Sequence, residues 1–262
     1  MTHGTEGRAA AATARREPAA GRPLRDAVRL DRRALPRGAP LAGRIVRRVA
    51  RRVEVFCRID AYPRYDAVHI ATDDAITERD IQGANGIGAG IPPQSWAPVT
   101  SLARLAELAA IPRDADLIDI DDDAWAASMQ PLVAALFARL AALPHVETPR
   151  LTKVLYLKRP ALIPICDATL LHALTGSSAC DPSAGLRALD ILRRLGRAHA
   201  KPLARAVAFL RERGFVALSR ARVLEAALTM EADGRYEPLW EALGWSSWTE
   251  PEEPALRLFD DE

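Results

Sequence analysis

Apolar residues recur every three or four positions along most of this chain, which is the spacing of an amphipathic helix. Between residues 77 and 234 the apolar stretches are short, and capping residues or prolines precede them while glycines or prolines follow. No stretch alternates between apolar and polar residues in the way that predicts a strand. The pattern therefore predicts an all-α protein: a single multi-helix globular domain with a disordered basic N-terminal tail.

The first predicted helices are marked at their ends by polar and glycine residues. Thr77 is followed three residues later by Asp80, which is close to the pattern of a capping box. A helix should follow and end near Gly86, where a glycine-rich turn begins. A second helix is predicted over residues 102–110, because leucines recur there at helical spacing.

Further helix starts are predicted downstream from proline and from capping side chains. Pro131 is predicted to begin a helix at the first position, where its missing N–H has no consequence. Four residues are predicted N-caps because their side-chain oxygens can accept from the first free backbone N–H groups of a helix. These residues are Thr148, Asp167, Asp181 and Ser219.

Charge is distributed unevenly, and this divides the chain. Residues 1–53 contain 14 Arg, no Lys and four acids, a net charge of +10, so the remainder carries −8 to give the total of +2. Residues 1–40 also contain four prolines and few large apolar residues, which predicts a disordered basic tail. We divide the chain into this tail, a basic amphipathic helix over 41–58, a helical domain over 59–248 and an acidic tail over 249–262.

The helix predicted over residues 41–58 has two interpretations. Apolar residues recur on one side, and arginines fill most other positions. The arginines can contact nucleic-acid phosphates or a membrane surface, or the apolar stripe packs on the domain while the arginines face water. With the Lys-Arg pair further along the chain, the candidate nucleic-acid contacts are Arg47, Arg48, Arg51, Arg52, Lys158 and Arg159.

Composition excludes several classes of protein. An apolar fraction of 49% is enough for a core, so wholesale disorder is excluded. Three cysteines without a C-x-x-C spacing form neither a disulfide framework nor a four-thiolate cluster. No apolar run of the length of a membrane span and no secretory signal is evident. We expect a cytoplasmic protein without a cofactor, and DNA or another nucleic acid is the candidate partner.

Six aspartates between residues 114 and 123 form a dense acidic loop. Carboxylates are ligands for hard cations, but the calcium-loop pattern requires glycine at its sixth position and glutamate at its twelfth. Counting from Asp114, those positions are Asp119 and Trp125. We therefore predict no metal site and interpret the loop as solvated, with Asp123 or a neighbour as an N-cap for the helix that enters at Trp125.

Residues 151–167 read Leu-Thr-Lys-Val-Leu-Tyr-Leu-Lys-Arg-Pro-Ala-Leu-Ile-Pro-Ile-Cys-Asp. This segment resembles the signature of an uncharacterised, largely actinobacterial family known only as a domain of unknown function. Ile76-Thr77-x-x-Asp80 and the following Gly90-Ile91-Pro92 are similar to the N-terminal signature of the same family. Together the resemblance covers about residues 60–235 and implies no activity.

The same segment is similar to helix-hairpin-helix DNA glycosylases, in which a helix bearing a lysine leads through a proline-containing link to an aspartate. That resemblance implies that Lys153 is a nucleophile for the sugar C1′ and that Asp167 stabilises the developing cation. The alternative is that Asp167 caps a helix and Lys153 is a helix surface residue. Two functions stay open: a nucleic-acid-associated, glycosylase-like protein, and a non-catalytic protein-interaction or regulatory module.

Overall fold

The computed structural model describes residues 73–101 and 105–233, together with a few helical residues that precede them: Ala50, Val53, Glu54, Phe56, Cys57 and Asp66. Every regular element within this part of the chain is a helix, which confirms the all-α fold class and a single helical domain. In chain order the continuous helices are α1 (Glu78–Gly86), α2 (Trp96–Thr100), α3 (Ala106–Ala110), α4 (Asp122–Ala141), α5 (Thr148–Tyr156), α6 (Ala168–Thr175), α7 (Pro182–Ala198), α8 (Ala200–Glu212) and α9 (Arg220–Ala232).

Helix α7 lies at the centre of the packing and contacts α4, α5, α6, α8 and α9. Two of its buried residues are glycines, although a glycine inside a helix costs about 1 kcal/mol relative to alanine. A Cβ at Gly185 would lie 2.6 Å from Cγ2 of Thr148, and a Cβ at Gly196 would lie 2.6 Å from Cγ1 of Ile118. The neighbouring elements therefore approach α7 more closely than any side chain would allow.

Several predicted caps are confirmed by hydrogen bonds. Thr77 and Asp80 form a complete capping box at the start of α1, with the Thr77 backbone N–H 2.7 Å from Asp80 Oδ2. Asp181 and Ser219 each accept a bond from a backbone N–H in the first turn of α7 and α9. Gly176 follows α6 with φ +69°, the left-handed conformation that glycine adopts without strain. Local capping chemistry thus fixes the ends of these helices.

Two predicted helix starts are wrong. The helix predicted over residues 102–110 begins only at Ala106, because Leu105 is extended (φ −77°, ψ 108°) and its backbone N–H donates to the carbonyl of Asp74. Thr148 is the first residue of α5 rather than its N-cap, which is Glu147. The Thr148 side chain is fully buried and its hydroxyl has no hydrogen-bond partner among the described residues.

Pro131 is the second residue of an α-helical segment, Gln130–Ala141, which is close to the predicted first position. That segment is not a separate helix, however, because it continues without a break from a π-helical segment, Trp125 to Met129, within α4. In that segment the N–H of Gln130 donates to the carbonyl of Trp125, five residues back. The wider turn allows for a residue that has no N–H and would clash with the carbonyl four residues earlier. Helix α4 itself begins at Asp122, and its N-cap is Asp121, a neighbour of the predicted Asp123.

Helix α4 is, by length and composition alone, apolar enough to cross a membrane, although no apolar run of that length was predicted. Its best window has a mean hydropathy of 1.2, and 28% of that window is buried. The helix also contributes Val133, Leu136, Phe137 and Leu140 to the core and packs against α3, α5 and α7. A core helix passes the same test, so the finding is weak support for a membrane span.

The described residues of the segment 41–58 are helical and belong to the core. Val53 and Phe56 are fully buried, as is Ala50, and the Glu54 carboxylate pairs with Arg213 at 3.2 Å. The interpretation in which the apolar stripe packs on the domain agrees with these residues. The tails predicted over 1–40 and 249–262 lie outside the described residues, as do the candidate contacts Arg47, Arg48, Arg51 and Arg52.

Candidate functional site

The segment that carries the family resemblance is buried over nine consecutive residues, 151–159. Helix α5 supplies its first part and packs against α1, α4 and α7, so that even the positions away from the central helix are covered. The link that follows, residues 162–166, is buried as well, as its apolar composition predicts. Charged side chains in this segment therefore have to find partners inside the protein.

Lys153 meets this requirement by binding backbone carbonyls at the end of α1. Its Nζ donates to the carbonyl oxygens of Ile87, at 2.9 Å, and Gly88, at 3.1 Å, and only 8% of the residue is exposed. Carbonyls at a helix C-terminus are unsatisfied and carry partial negative charge, which suits an ammonium group. Lys153 is thus not the helix surface residue that one interpretation expected.

Lys158 is fully buried and joins α5 to the start of α1. Its Nζ lies 2.8 Å from Oδ1 of Asp73 and 2.7 Å from Oδ2 of Asp80, the carboxylate that also completes the capping box. The Lys158 ammonium group therefore connects the N-terminus of α1 to the buried residues 151–159. Because Lys158 is inaccessible, its position gives no support to its assignment as a nucleic-acid contact.

Arg159 is also buried, and its guanidinium group binds the C-terminal end of α3 and Asp74, which precedes α1. Its Nε donates to the carbonyl of Ile111 at 3.0 Å, and its Nη2 binds the carbonyl of Leu108 and Oδ1 of Asp74. The hydrogen bond from Arg159 is the main reason that the pKa of Asp74 lies below its usual value. Like Lys158, Arg159 acts between elements of the fold, and its position does not support a phosphate contact.

Asp167 is the N-cap of α6, as one of the two interpretations of this residue predicts. Its Oδ1 accepts from the backbone N–H of Leu170 at 2.8 Å. Lys153 binds the turn after α1 and Asp167 binds α6, and the two side chains share no bonding partner among the described residues. The structure therefore places both residues but records no direct pairing between them.

A buried ionic cluster on the inner face of α9 was not predicted from the sequence. Arg222 is fully buried and donates to both oxygens of Asp66, at 3.2 Å each, and to the carboxylate of Glu225. The Tyr156 hydroxyl donates to Asp66 at 2.7 Å, and Thr229 donates to Glu225 at 3.0 Å. The only signal in the sequence is an Arg–Glu pair three residues apart in a helix that is otherwise largely apolar.

Burial controls the protonation of this cluster and of the thiols nearby. It raises the pKa of Glu225 from 4.5 to about 7, although Arg222 acts in the opposite direction. Burial likewise raises the pKa of the Cys57 thiol to about 12 and that of Cys166 well above its usual value. A thiol with so high a pKa is not a nucleophile near neutral pH.

The acidic loop is bound by arginines. Arg220 lies 2.8 Å from Asp116 and 2.6 Å from Asp119, and Arg193 pairs with Asp122. These contacts connect the loop to α7 and α9. No group of side chains suited to hold a metal ion is found among the described residues.

Comparisons with known proteins match one family model, described as "Family of unknown function (DUF6308)", over residues 45–241. This match confirms the resemblance to an uncharacterised family. It gives no support to the similarity with helix-hairpin-helix glycosylases. Neither the curated proteins nor the solved structures with which the chain was compared include a match.

Proposed function

The chain belongs to the DUF6308 family of unknown function, and from that premise we propose that it is a non-catalytic helical protein-interaction or regulatory module. One observation supports this most: both side chains to which the glycosylase resemblance assigns chemistry already have structural bonds. Lys153 binds two carbonyls, and Asp167 caps a helix. To attack a sugar carbon, the Lys153 amine would have to give up its carbonyl acceptors and lose a proton.

The thiols support the same proposal. Cys57 and Cys166 are buried, and burial holds their pKa values far above neutral pH. Neither is then the activated thiolate that nucleophilic catalysis requires. In this proposal Lys153, Lys158 and Arg159 connect α5 and the link after it to α1 and α3 and stabilise their arrangement.

Covalent trapping tests the proposal against a glycosylase-like activity. A lysine that attacks an abasic sugar loses water to form a carbon–nitrogen double bond, and borohydride reduces that bond to a stable amine. We expect the full-length protein to give no adduct with abasic-site DNA beyond the level of Lys153→Met. An adduct that persists in Arg79→Met, an exposed control on α1, but disappears in Lys153→Met would contradict the proposal. Base release that Asp167→Asn abolishes would do the same.

Association with nucleic acid is a second candidate function, and the charge of the N-terminal residues favours it. Residues 1–53 carry +10, a charge that neutralises phosphates and releases their counterions. Nine of the arginines lie within residues 1–40, ahead of the buried Ala50 and Val53. Replacing them therefore changes no residue of the described core.

The test is the salt dependence of DNA binding by the full chain and by a variant with those nine arginines changed to glutamine. If they contact phosphates, the logarithm of the affinity should fall steeply with the logarithm of the salt concentration, by roughly 0.9 per phosphate contact. The variant should lose most of that slope. Equal slopes in the two proteins would refute a role for residues 1–40.

A further inference from the structure

A basic surface lies at the corner between α7 and α8. Residues 191–211 contain six Lys or Arg and no acid, and of the six only Arg193 is buried. Four of the exposed cations lie within six residues of the junction at His199, two on α7 and two on α8. We call them the corner cations: Arg194, Arg197, Lys201 and Arg205.

Each pair of corner cations shares one face of its helix. Arg194 and Arg197 are three residues apart on α7, and Lys201 and Arg205 are four residues apart on α8, which are the spacings of neighbours on a helix surface. The junction between the helices is short, since α7 ends at Ala198, α8 begins at Ala200, and the N–H of Leu203 donates to the carbonyl of His199.

The corner cations are available to a ligand. Arg194 pairs with Asp190 at 2.9 Å, but 69% of its side chain is exposed, and an exposed ion pair contributes at most about 1 kcal/mol. Arg197 donates to the backbone carbonyl of Asp119 at 3.2 Å, and the charges of Arg194 and Arg197 contribute to lowering the pKa of the exposed Asp122, so the acidic loop lies beside the α7 pair. The α8 pair, Lys201 and Arg205, is the more available of the two. Within the part of the chain that the structure describes, no ion pair is recorded for Lys201 or Arg205.

From these features we infer that the corner cations bind the phosphate backbone of nucleic acid. This inference deepens the second function proposed above and rests on it. Three of the four are arginines, whose guanidinium groups bind phosphate oxygens in pairs. The other exposed residues of the corner include Ala198 and Ala204. A membrane-binding helix or a protein-binding hot spot needs large apolar anchors, and among the described residues only Val216, beyond α8, is a large apolar residue classed as exposed.

The contacts inferred are to phosphates, so binding does not depend on base sequence. The test uses the full chain, with a 20-base-pair DNA duplex and a 20-nucleotide RNA of arbitrary sequence as probes. The variant is Arg197→Gln, Lys201→Gln, Arg205→Gln. A control with the same net charge carries Arg79→Gln, Arg113→Gln and Arg139→Gln, three exposed arginines on other helices or loops.

We expect the corner variant to bind at least about tenfold more weakly at about 50 mM salt. Its salt slope with the duplex should fall by roughly 2.7, which is three contacts at about 0.9 each. The control should keep both the affinity and the slope. Circular dichroism and urea unfolding of all three proteins establish that the exposed replacements leave the fold intact.

Other results would overturn the inference, and they separate its failure from that of nucleic-acid association in general. If the corner variant binds normally while the variant with nine replaced arginines does not, association holds but the surface is wrong. If the unmodified chain binds neither probe at low salt, both fail. If the control variant binds as weakly as the corner variant, the loss of affinity comes from the lower net charge and not from the corner cations. Binding of poly-glutamate as tightly as DNA would indicate an acidic protein partner instead.

Discussion

Replacing Glu225 by glutamine should remove a large part of the pH dependence of stability. Glu225 is 1% exposed, and burial is the largest of the causes that raise the pKa of its carboxyl group from 4.5 to about 7. Because the folded protein binds this proton more tightly than the unfolded chain, the stabilising contribution is complete below about pH 4.5 and is lost as the pH rises through 7. A difference of about 2.5 pKa units corresponds to about 3 kcal/mol of unfolding free energy.

Urea unfolding at about pH 5, 6, 7 and 8 measures this contribution. Glutamine resembles the protonated acid, so Glu225→Gln should match the unmodified protein within about 1 kcal/mol at pH 5. At pH 8 the free energy of unfolding of Glu225→Gln should exceed that of the unmodified protein by up to about 3 kcal/mol, because only the unmodified protein loses the contribution of the protonated acid. Glu212→Gln, an exposed change on α8, serves as the control and should follow the unmodified protein. Identical pH slopes with and without Glu225 would refute the reasoning.

Three further changes test contacts of the fold, each by urea unfolding. Asp167→Ala should cost about 1 kcal/mol and Asp167→Asn a few tenths, since asparagine also caps helices; equal losses would rule out the cap. Gly196→Ala should cost about 1–3 kcal/mol because its Cβ would meet Ile118, despite the higher helix propensity of alanine. An increase in stability would show that Ile118 moves aside. Tyr156→Phe should cost about 2 kcal/mol by removing the donor to Asp66, and no loss would refute that bond's importance.

The elements that could be predicted from sequence are those fixed by local chemistry. The capping box at Thr77, the cap at Asp167 and the left-handed Gly176 all act within a few residues of themselves. Their side-chain oxygens or backbone freedom determine where a helix begins or ends wherever the helix lies in the fold. The helical class and these helix ends therefore followed from pattern alone.

The buried cations could not be predicted because their partners are distant in sequence. Lys153 binds carbonyls 65 and 66 residues away, and the carboxylate that Arg159 binds is 85 residues away. A Lys-Arg pair is ordinarily solvated, and nothing local indicates that α1 and the α3 loop cover it. Pro131 marks the start of an α-helical segment, as predicted, but the sequence does not show that a π-helical turn joins this segment to the first turn of α4.

The most direct test of the structural role of residues 151–167 is the stability of Lys153→Met. Methionine keeps much of the side-chain volume but leaves the carbonyls of Ile87 and Gly88 without their charged donor. We expect the free energy of unfolding to fall by about 2–3 kcal/mol, while the exposed control Lys201→Met changes it by no more than about 0.5 kcal/mol. Removing a residue that serves catalysis commonly leaves stability unchanged or raises it. A Lys153→Met protein as stable as the unmodified one, or more stable, would contradict the account.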